Sequence, residues 1–374
     1  MFWRIWVVAA VAALALAAEA QGGAPRVEAR AFLVEDPATG EVLVQHGAWA
    51  RVPIASITKL MTVLVALDHA RWNDVVRVLT PAAEVGESTI NLRPGERITV
   101  GDLVKASLIQ SANDAADALA YYVGKGDRNA FVELMNVKAK ELGLERTHFV
   151  RPDGLDVAGH YSSALDVTKL AQAAMRIPRI RDAVRLRTDS IAGGRHLHTW
   201  NDLLGVFKGV YGVKTGHTGA AGWCEVAAVR RYGVTLYATV LGSPTRSRRN
   251  TDLAALMRWG LSIYRPVWVI QPRRVYLRAS VGYGKQAVPL LAAAPVVRLV
   301  RVDKPLVERV VAASTLDLPV KRGEHVGEVR VYSGRRLIAR RALVAGRSVA
   351  SPDFGGRLRF YAGHTFHHLG SWFT

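Results

Sequence analysis

The stretch that decides the fold is Pro53-Ile-Ala-Ser56-Ile-Thr-Lys59-Leu-Met-Thr62, and an apolar run follows it as far as Leu67. A serine just before such a run is typical of a helix N-terminus, where its hydroxyl is expected as a cap. Residues three apart lie on one helix face, so the Ser56 hydroxyl and the Lys59 amine can meet. Serine needs a base to take its proton, and lysine is that base only where its pKa is lowered. The stretch therefore predicts a nucleophile and its base beside free backbone N–H groups suited to an oxyanion.

Two further motifs follow along the chain. Ser111-Ala-Asn113 interrupts residues 100–124, which otherwise read as helix. It supplies a hydroxyl that can pass a proton and an amide that can hold either a substrate carbonyl or the lysine. Lys214-Thr-Gly216 is predicted to lie on a strand, where its glycine lets a substrate backbone lie close. Each motif alone is common, but all three in this order are expected by chance in roughly one sequence in a thousand. We therefore interpret them as parts of one active site.

The pattern around the motifs predicts an α+β domain followed by a small all-β domain. Predicted strands lie in 28–47, 223–230 and 233–242, and predicted helices lie in 130–142, 163–175 and 251–264. Helices in the middle and strands at both ends indicate a sheet that joins the two ends of the first domain. Short β-branched runs then follow at 267–277, 296–302, 307–313, 327–332 and 336–344, which predict the second domain.

Longer segments around the motifs resemble the low-molecular-mass penicillin-binding proteins that are serine-type D-alanyl-D-alanine carboxypeptidases. These segments are Pro53–Thr62, Ser111-Ala-Asn-Asp-Ala115, Arg151-Pro-Asp-Gly-Leu155, His160-Tyr-Ser-Ser-Ala164 and Gly212-Val-Lys-Thr-Gly-His-Thr-Gly-Ala-Ala-Gly222. The resemblance is strong over residues 25–264 and weaker over 265–347. It implies a β-lactamase/transpeptidase-like catalytic domain at 21–264 and a β-rich domain at 265–350.

The resemblance also implies removal of the terminal D-alanine from a peptidoglycan stem pentapeptide. Ser56 attacks the carbonyl of the penultimate D-alanine while Lys59 takes its proton. Ser111 relays a proton to the leaving D-alanine, and Asn113 positions the substrate. Water then releases the acyl-enzyme. β-Lactam antibiotics such as penicillin are expected to acylate Ser56 and to leave slowly.

By the same resemblance, the strand motif binds the end of the substrate. Lys214 and Thr215 hold the terminal carboxylate, Gly216 lets the substrate approach, and the backbone N–H groups of Ser56 and His217 form an oxyanion hole. Trp200 stands where some relatives have a basic residue that helps to hold the carboxylate. Lys214 is therefore expected to act with less help here.

Two other functions stay open at the level of the sequence. A serine β-lactamase would share the motifs, although Pro152-Asp-Gly154 has no nearby glutamate of the class A kind and no second β domain is expected there. A catalytically retired wall-binding protein would keep the fold without needing all three motifs. Asp153 either helps to place the deacylating water or is a simple turn residue.

Neither a metal nor another cofactor is expected. The 11 histidines show no paired spacing typical of a metal site, and one cysteine, Cys224, allows no internal disulfide.

The N-terminus has the pattern of an export signal. Arg4 precedes an apolar run, Ile5–Ala18, whose 14 residues are too few to span a bilayer core of about 30 Å. Ala18-Glu-Ala20 is typical of a cleavage site. We expect residues 1–20 to be a signal peptide and the mature protein to be periplasmic or otherwise extracytoplasmic. A buried N-terminal helix and an uncleaved anchor are the alternatives.

Positive charge is concentrated towards the C-terminus. The formal net charge is +19, of which residues 265–374 carry +13 and residues 1–264 carry +6. The tail, 351–374, has apolar residues three and four apart with Arg and His between them, which is typical of an amphipathic helix in a membrane interface. Since an exported protein does not meet nucleic acid, we expect a peripheral attachment to an anionic membrane surface. A tail packed on the β domain, or frayed, is the alternative.

Overall fold

The computed structural model of the chain describes residues 23–283 and 285–360, together with the backbone of residues 7–14. The chain divides into two compact units. One unit is Gly22–Ser262, and the other combines Ile263–Thr374 with Met1–Gln21.

The helices are α1 Lys59–His69, α2 Thr80–Ala83, α3 Val100–Lys105, α4 Asn113–Val123, α5 Arg128–Glu141, α6 Ala164–Arg176, α7 Pro178–Ala183 and α8 Arg246–Ser262. The strands are β1 Val7–Leu14, β2 Ala31–Asp36, β3 Glu41–His46, β4 Val75–Arg77, β5 Arg97–Thr99, β6 Thr188–Ile191, β7 Arg195–His198, β8 Val210–Thr218, β9 Gly222–Arg231, β10 Val234–Ser243, β11 Tyr264–Ile270, β12 Val275–Val281, β13 Val288–Ala292, β14 Val296–Arg301, β15 Leu306–Ala313, β16 Thr315–Leu316, β17 His325–Ser333 and β18 Arg336–Ala345.

The described part of the first unit contains a five-stranded antiparallel sheet in the order β3-β2-β10-β9-β8. The early strand β2 pairs with the late strand β10, where Phe32 lies opposite Val240. Tyr232 and Gly233 join β9 to β10 with positive φ angles, which suit a tight hairpin turn. The sheet thus joins the two ends of the unit, and the predicted α+β fold is confirmed. The Lys214-Thr-Gly216 motif lies on β8, at the sheet edge.

Helix α1 is buried along most of its length. All residues from Lys59 to Ala66 are buried, and the helix packs against α4, α5 and α6. A helix covered on every side needs an almost continuous apolar sequence, which the run to Leu67 provides. Helices α6 and α8 pack on β10 of the sheet, and the hydroxyls of Thr168 and Thr239 meet across this contact at 2.7 Å.

The entry to α1 differs from the expectation. The helix begins at Lys59, and Ser56 lies in the preceding 3-10 turn, Ala55–Thr58. The expectation that Ser56 caps the helix is wrong, because no side-chain cap is formed and the Ser56 hydroxyl accepts a hydrogen bond from Lys59 instead. Ala55 has a φ of 49°, a left-handed conformation that is uncommon outside glycine. The turn therefore leaves the Ser56 hydroxyl in contact with the Lys59 amine, where it is available for reaction, and not with the helix backbone.

The second unit is built mainly of β structure in its described residues, as predicted. Its seven-stranded sheet has the order β1-β15-β17-β18-β13-β12-β16, and β11 and β14 form a separate pair. Side chains of β15 alternate between buried and more exposed, and the buried Leu306, Val310 and Ala312 join a core of aliphatic side chains. The run 267–277, expected as one strand, is divided between β11 and β12 at a turn where Arg273 has a φ of 59°. Strand β13 is not predicted from the sequence, because it contains Pro289 and a proline argues against a strand.

Both ends of the chain are described in part. The backbone of residues 7–14 forms β1, which is antiparallel to β15, and the expected cleavage motif Ala18-Glu-Ala20 lies outside the described residues. At the other end, residues 354–360 are helical, and residues 361–374 of the expected amphipathic tail lie outside the described residues. Of the helices that the structure describes, none combines the length and apolar character needed to cross a membrane.

Candidate active site

The side chains of Ser56 and Lys59 are in direct contact. The 3-10 turn and the first residue of α1 place Lys59 Nζ 2.8 Å from Ser56 Oγ. Lys59 Nζ also donates to Asn113 Oδ1 and to the main-chain oxygen of Asp153, each at 2.7 Å. These three contacts fix the amine in one position beside the serine hydroxyl.

The surroundings of Lys59 lower the pKa of its amine. Burial lowers the pKa of Lys59 to about 8, although the negative charges of Asp153, Asp117, Asp114 and Glu87 act to raise it. An ammonium ion is costly in a buried site, and the neutral amine is therefore populated near neutral pH. This is the condition under which a lysine can remove the proton of a serine.

The break between α3 and α4 presents Ser111 and Asn113 to the same place. A π-helical turn ends α3, and Ser111 then adopts a left-handed conformation with a φ of 67°. Such turns and strained residues are frequent at functional sites. The backbone N–H of Asn113 donates to Ser88 O at 2.6 Å, and its Nδ2 donates to Gly86 O at 3.1 Å. Those bonds orient the amide so that its oxygen faces Lys59.

Strand β8 brings a second buried lysine to this cluster. Lys214 Nζ donates to Ser111 Oγ and to the main-chain oxygen of Thr215, each at 2.8 Å. Burial, followed by the charges of Lys59 and Arg249, lowers the pKa of Lys214 well below its usual value. A concentration of positive charge in a buried place favours the arrival of an anion.

Two glycines allow the surrounding backbone to close on the Ser56 turn. A Cβ at Gly216 would lie 2.8 Å from Ile54 O and 3.0 Å from Ser56 N, so a side chain there would push β8 away. Gly154 has a φ of 85°, and a Cβ there would collide with the main-chain oxygen of Ala55. The glycine of the strand motif is therefore required by close approach to the nucleophile's own backbone.

Asp153 lies in a buried turn next to Lys59. Its carboxylate accepts hydrogen bonds from Arg151 at 3.0 and 2.8 Å and from the Leu155 N–H at 2.8 Å. Burial acts to raise the pKa of Asp153, but the hydrogen bonds from Arg151 and Asp117 and the charge of Lys59 hold it at about 2. Burial, together with the charge of Asp153, raises the pKa of Asp117 to about 8. Only the main-chain oxygen of Asp153 contacts Lys59, which favours its interpretation as a turn residue that positions the lysine.

A cleft of about 250 Å³ opens above Ser56. Of the residues predicted from sequence, those that line it are Ser56, Ser111, Asn113, Thr215, Gly216 and His217. Lys59 and Lys214 are buried behind the cleft and reach it through Ser56 and Ser111. The structure thus brings all the predicted site residues together. In the parts of the chain that are described, no group of three or more His, Cys, Asp or Glu side chains is placed to hold a metal ion.

Sequence reasoning missed two arginines at the cleft, Arg246 and Arg249. Helix α8 begins five residues before the predicted start at 251, and its first turn carries both. Arg246 makes a two-pronged ion pair with Asp202, at 2.8 and 2.5 Å, and the buried Arg249 lies between Asp202 and Glu225, each at 3.0 Å. The spacing of three between these arginines places them on one helix face, but that spacing does not show that the face meets the cleft. Glu87 and Trp223 also line the cleft without belonging to any predicted motif.

Trp200, which stands where a basic residue could help to hold the carboxylate, lines the cleft. Trp200 Nε1 donates to Gln110 O at 3.0 Å, and the guanidinium of Arg246 lies 5.4 Å from the Trp200 ring centre. A basic group therefore stands beside Trp200 even though position 200 itself is not basic. The His217 imidazole packs against Trp223 with 4.0 Å between ring centres and an angle of 30° between the ring planes.

A serine hydroxyl in contact with a buried lysine amine is the arrangement expected of a serine-type peptidase, a class of hydrolase. Residues 17–245 match the family model described as D-alanyl-D-alanine carboxypeptidase, and residues 264–351 match the model for the C-terminal domain of penicillin-binding protein 5. The chain therefore belongs to the D-alanyl-D-alanine carboxypeptidase family, which is serine-type and penicillin-binding.

Named relatives are similar over nearly the whole chain. The chain is 32% identical to D-alanyl-D-alanine carboxypeptidase DacC of Escherichia coli strain K12, over 96% of this chain and 94% of that protein. It is 30% identical to D-alanyl-D-alanine carboxypeptidase DacF of Bacillus subtilis strain 168, over 87% of each. The crystal structure of the carboxypeptidase DacD from Francisella tularensis superposes with a TM-score of 0.64 and 25% identity, covering 89% of this chain and 96% of that one. The family and the enzyme class predicted from the motifs are confirmed.

Proposed function

We propose that the chain removes the terminal D-alanine of a peptidoglycan stem peptide through an acyl-enzyme on Ser56. The observation that carries this proposal is the 2.8 Å contact between Ser56 Oγ and Lys59 Nζ, with the pKa of Lys59 lowered to about 8 by burial. In acylation, Lys59 accepts the hydroxyl proton while Ser56 Oγ bonds to the carbonyl carbon of the penultimate D-alanine. The bond to the terminal D-alanine nitrogen then breaks.

The leaving nitrogen must receive a proton. Ser111 is suited to supply it, because its hydroxyl lies 2.8 Å from Lys214 Nζ and lines the cleft. Burial lowers the pKa of Lys214, so Lys214 gives up a proton readily and can reprotonate the Ser111 hydroxyl. Between the two steps, the proton held by Lys59 passes through water in the cleft and the Ser111 hydroxyl to Lys214, which has just given one up. Neutral Lys59 then serves again as the base when water attacks the acyl-enzyme.

The developing oxyanion needs backbone donors. The Ser56 N–H belongs to a turn against which β8 packs at Gly216, so the neighbouring N–H of His217 is a suitable second donor. Two such donors in a preorganised site contribute strongly to acyl transfer.

The terminal carboxylate has a cationic, hydroxyl-bearing receptor available. Thr215 and Arg246 line the cleft, and Lys214 adds positive charge from behind it. We assign the carboxylate to Thr215 and Arg246, with Lys214 supporting Ser111 as well as the carboxylate. An exopeptidase needs such a receptor, because it must recognise a free C-terminus.

Mass spectrometry after treatment with benzylpenicillin tests this assignment. We expect a stable mass increase on the peptide that contains Ser56, and we expect Ser56→Ala to abolish both this adduct and D-alanine release from a pentapeptide. Ser247→Ala, an exposed serine on α8, is the matched control and should leave both unchanged. An adduct on another residue would refute the assignment, and rapid turnover of penicillin would favour a β-lactamase instead.

We also propose that the protein is exported and acts at the outer face of the cytoplasmic membrane. Support comes from the apolar run Ile5–Ala18 with its Ala18-Glu-Ala20 motif, and from the charge of +13 in residues 265–374. Sequencing the N-terminus of the protein isolated from cells tests cleavage, with Gln21 as the expected first residue. A mature chain that keeps Met1 would contradict the signal-peptide assignment.

A further inference from the structure

The cleft carries one carboxylate that the proposed mechanism does not use. Glu87 lines the cleft together with Ser56 and Asn113, and it is exposed. It makes no hydrogen bond or ion pair among the described residues, whereas Arg246 is paired with Asp202. A carboxylate that is unpaired in a substrate cleft is available to a ligand.

Hydrogen bonds and electrostatic effects together indicate on which side of the cleft Glu87 lies. Its negative charge acts to raise the pKa values of Lys59 and Arg151. The carboxylates that act on Arg246 are those of Asp202 and Glu225. Asn113 binds Lys59 and also the main-chain oxygens of both neighbours of Glu87, so Glu87 lies on the Lys59 side of the cleft. Thr215 and Arg246, to which we assign the terminal carboxylate, form a separate group.

The loop around Glu87 is fixed against the residues that position the substrate. Asn113 binds the main-chain oxygens of Gly86 and Ser88, and Ser88 Oγ donates to Gln110 O at 3.2 Å. Glu87 itself has a φ of 57°, in the left-handed region where glycine is the usual residue. Glu87 therefore has a strained backbone and lies between two residues whose main-chain oxygens accept hydrogen bonds from Asn113. Such strain is frequent at ligand-binding sites, and it indicates a role for Glu87 in binding a ligand.

We infer that Glu87 is a specificity-determining residue that binds a cationic amine on the substrate side chain preceding the two D-alanines. The inference rests on the proposed function. With the scissile carbonyl at Ser56 and the terminal carboxylate at Thr215, we expect the peptide upstream of the scissile bond to lie along Asn113, Glu87 and Ser88, which line the same cleft. A primary amine on that side chain meets the Glu87 carboxylate, and the pair is partly shielded from water by the bound peptide.

Two peptides that differ in one group test the inference. Both end in D-Ala-D-Ala after a lysine, and the lysine side-chain amine is either free or acetylated. We expect the wild type to prefer the free amine about three- to tenfold in kcat/KM, mainly through KM, as one partly exposed charge pair allows. Glu87→Gln should reduce this ratio to about one, and any effect of the lost charge on the pKa of Lys59 acts on both peptides alike and cancels in the ratio. Gln keeps the size and backbone preference of Glu, so only the charge is removed.

Matched variants separate the charge of Glu87 from general effects. Glu84→Gln removes an exposed carboxylate three residues away that does not line the cleft, and should keep the wild-type ratio. Glu87→Asp should retain part of the preference, and raising the salt concentration should weaken it in the wild type. An unchanged ratio in Glu87→Gln, or a wild type with no preference, would show that Glu87 is only a solvated surface charge.

Binding of the same peptides to Ser56→Ala, measured by calorimetry, gives a readout that does not need turnover. Free-amine peptide should bind more tightly than acetylated peptide, and the further change Glu87→Gln should cancel the difference. Equal binding of both peptides overturns the inference alone, whereas D-alanine release that persists in Ser56→Ala overturns the proposed mechanism alone. If neither peptide binds, both proposals fall.

Discussion

At the scale of single residues, the burial of Lys59 determines how the reaction depends on pH. Its amine lies within hydrogen-bonding distance of three oxygens and has no access to bulk water. A solvated lysine would be almost wholly protonated at pH 7 and could not serve as a base. In the proposed mechanism, the cost of burying the ammonium ion is therefore what makes Lys59 available as a base for Ser56.

The rate at which benzylpenicillin acylates Ser56 should rise with pH. The pKa of Lys59 is lowered to about 8, so deprotonation with increasing pH converts the ammonium ion into the active base. We expect about a fivefold increase between pH 7 and pH 8 and a plateau above about pH 9. Stopped-flow measurement of acylation from pH 6 to pH 10 checks this. Lys59→Arg, which stays charged, should show no acylation at any pH, and a rate that falls as the pH rises would exclude Lys59 as the base.

Thr215→Val should weaken recognition of the free C-terminus. The substitution keeps the shape of the side chain and removes a hydroxyl that lines the cleft. A hydrogen bond to a charged carboxylate contributes about 1.5–3 kcal/mol, so kcat/KM for a D-Ala-D-Ala peptide should fall roughly tenfold or more. Steady-state kinetics with the C-terminal amide of the same peptide is the control, since that substrate should lose far less. Equal losses for both would place Thr215 outside the carboxylate receptor.

Individual residues differ in how far the sequence reveals them. Ser56 and Lys59 are recognisable because local helix geometry alone brings them together. Arg249 and Glu87 reach the cleft only through tertiary packing, which short-range spacing does not encode. An isolated charge in a sequence reads as a solvated surface group in most proteins, so its presence in a cleft becomes visible only in the folded chain.

At the scale of elements, the site is assembled where three backbone irregularities meet. Ala55, Glu87 and Ser111 are three of the eight non-glycine residues that have positive φ among those described. The motifs predicted that functional residues lie at a helix start, a helix break and a strand. They did not predict that α1 would begin after Ser56, because propensity and periodicity locate a helix end only to within a few residues.

Gly216→Ala tests whether the close approach of β8 to the Ser56 turn is required. The added Cβ would lie 2.8 Å from Ile54 O, so either β8 or the turn must move. We expect a stability loss of about 1–3 kcal/mol, as in other overpacked sites, and a loss of acylation that is much larger than the loss of folded protein. Gly219→Ala is the control, because a Cβ there meets nothing within 4 Å. Thermal unfolding and penicillin labelling measure the two effects, and normal labelling of Gly216→Ala would show that the contact is dispensable.

At the scale of the whole molecule, charge and chemistry are carried by different parts of the chain. The proposed catalytic residues lie in Gly22–Ser262, while residues 265–374 carry most of the net positive charge. A net charge is an argument about partners and not about fold. The basic β domain and tail therefore do not contribute to the reacting groups, and their charge fits a peripheral contact with an anionic surface.

Chains that end after Ala350 should lose binding to anionic vesicles while keeping D-alanine release. The described part of the tail, 354–360, is helical, and its Phe354 and Leu358 side chains are 83% and 63% exposed, which leaves apolar surface for a lipid interface. Co-sedimentation with vesicles of anionic and of zwitterionic lipid measures binding, and the full chain should prefer the anionic ones. The double variant Phe354→Ser, Leu358→Ser keeps every charge and should bind more weakly than the wild type, because charge attraction alone does not insert a helix. Equal sedimentation of the truncated and full chains would show that the β domain, and not the tail, makes the membrane contact.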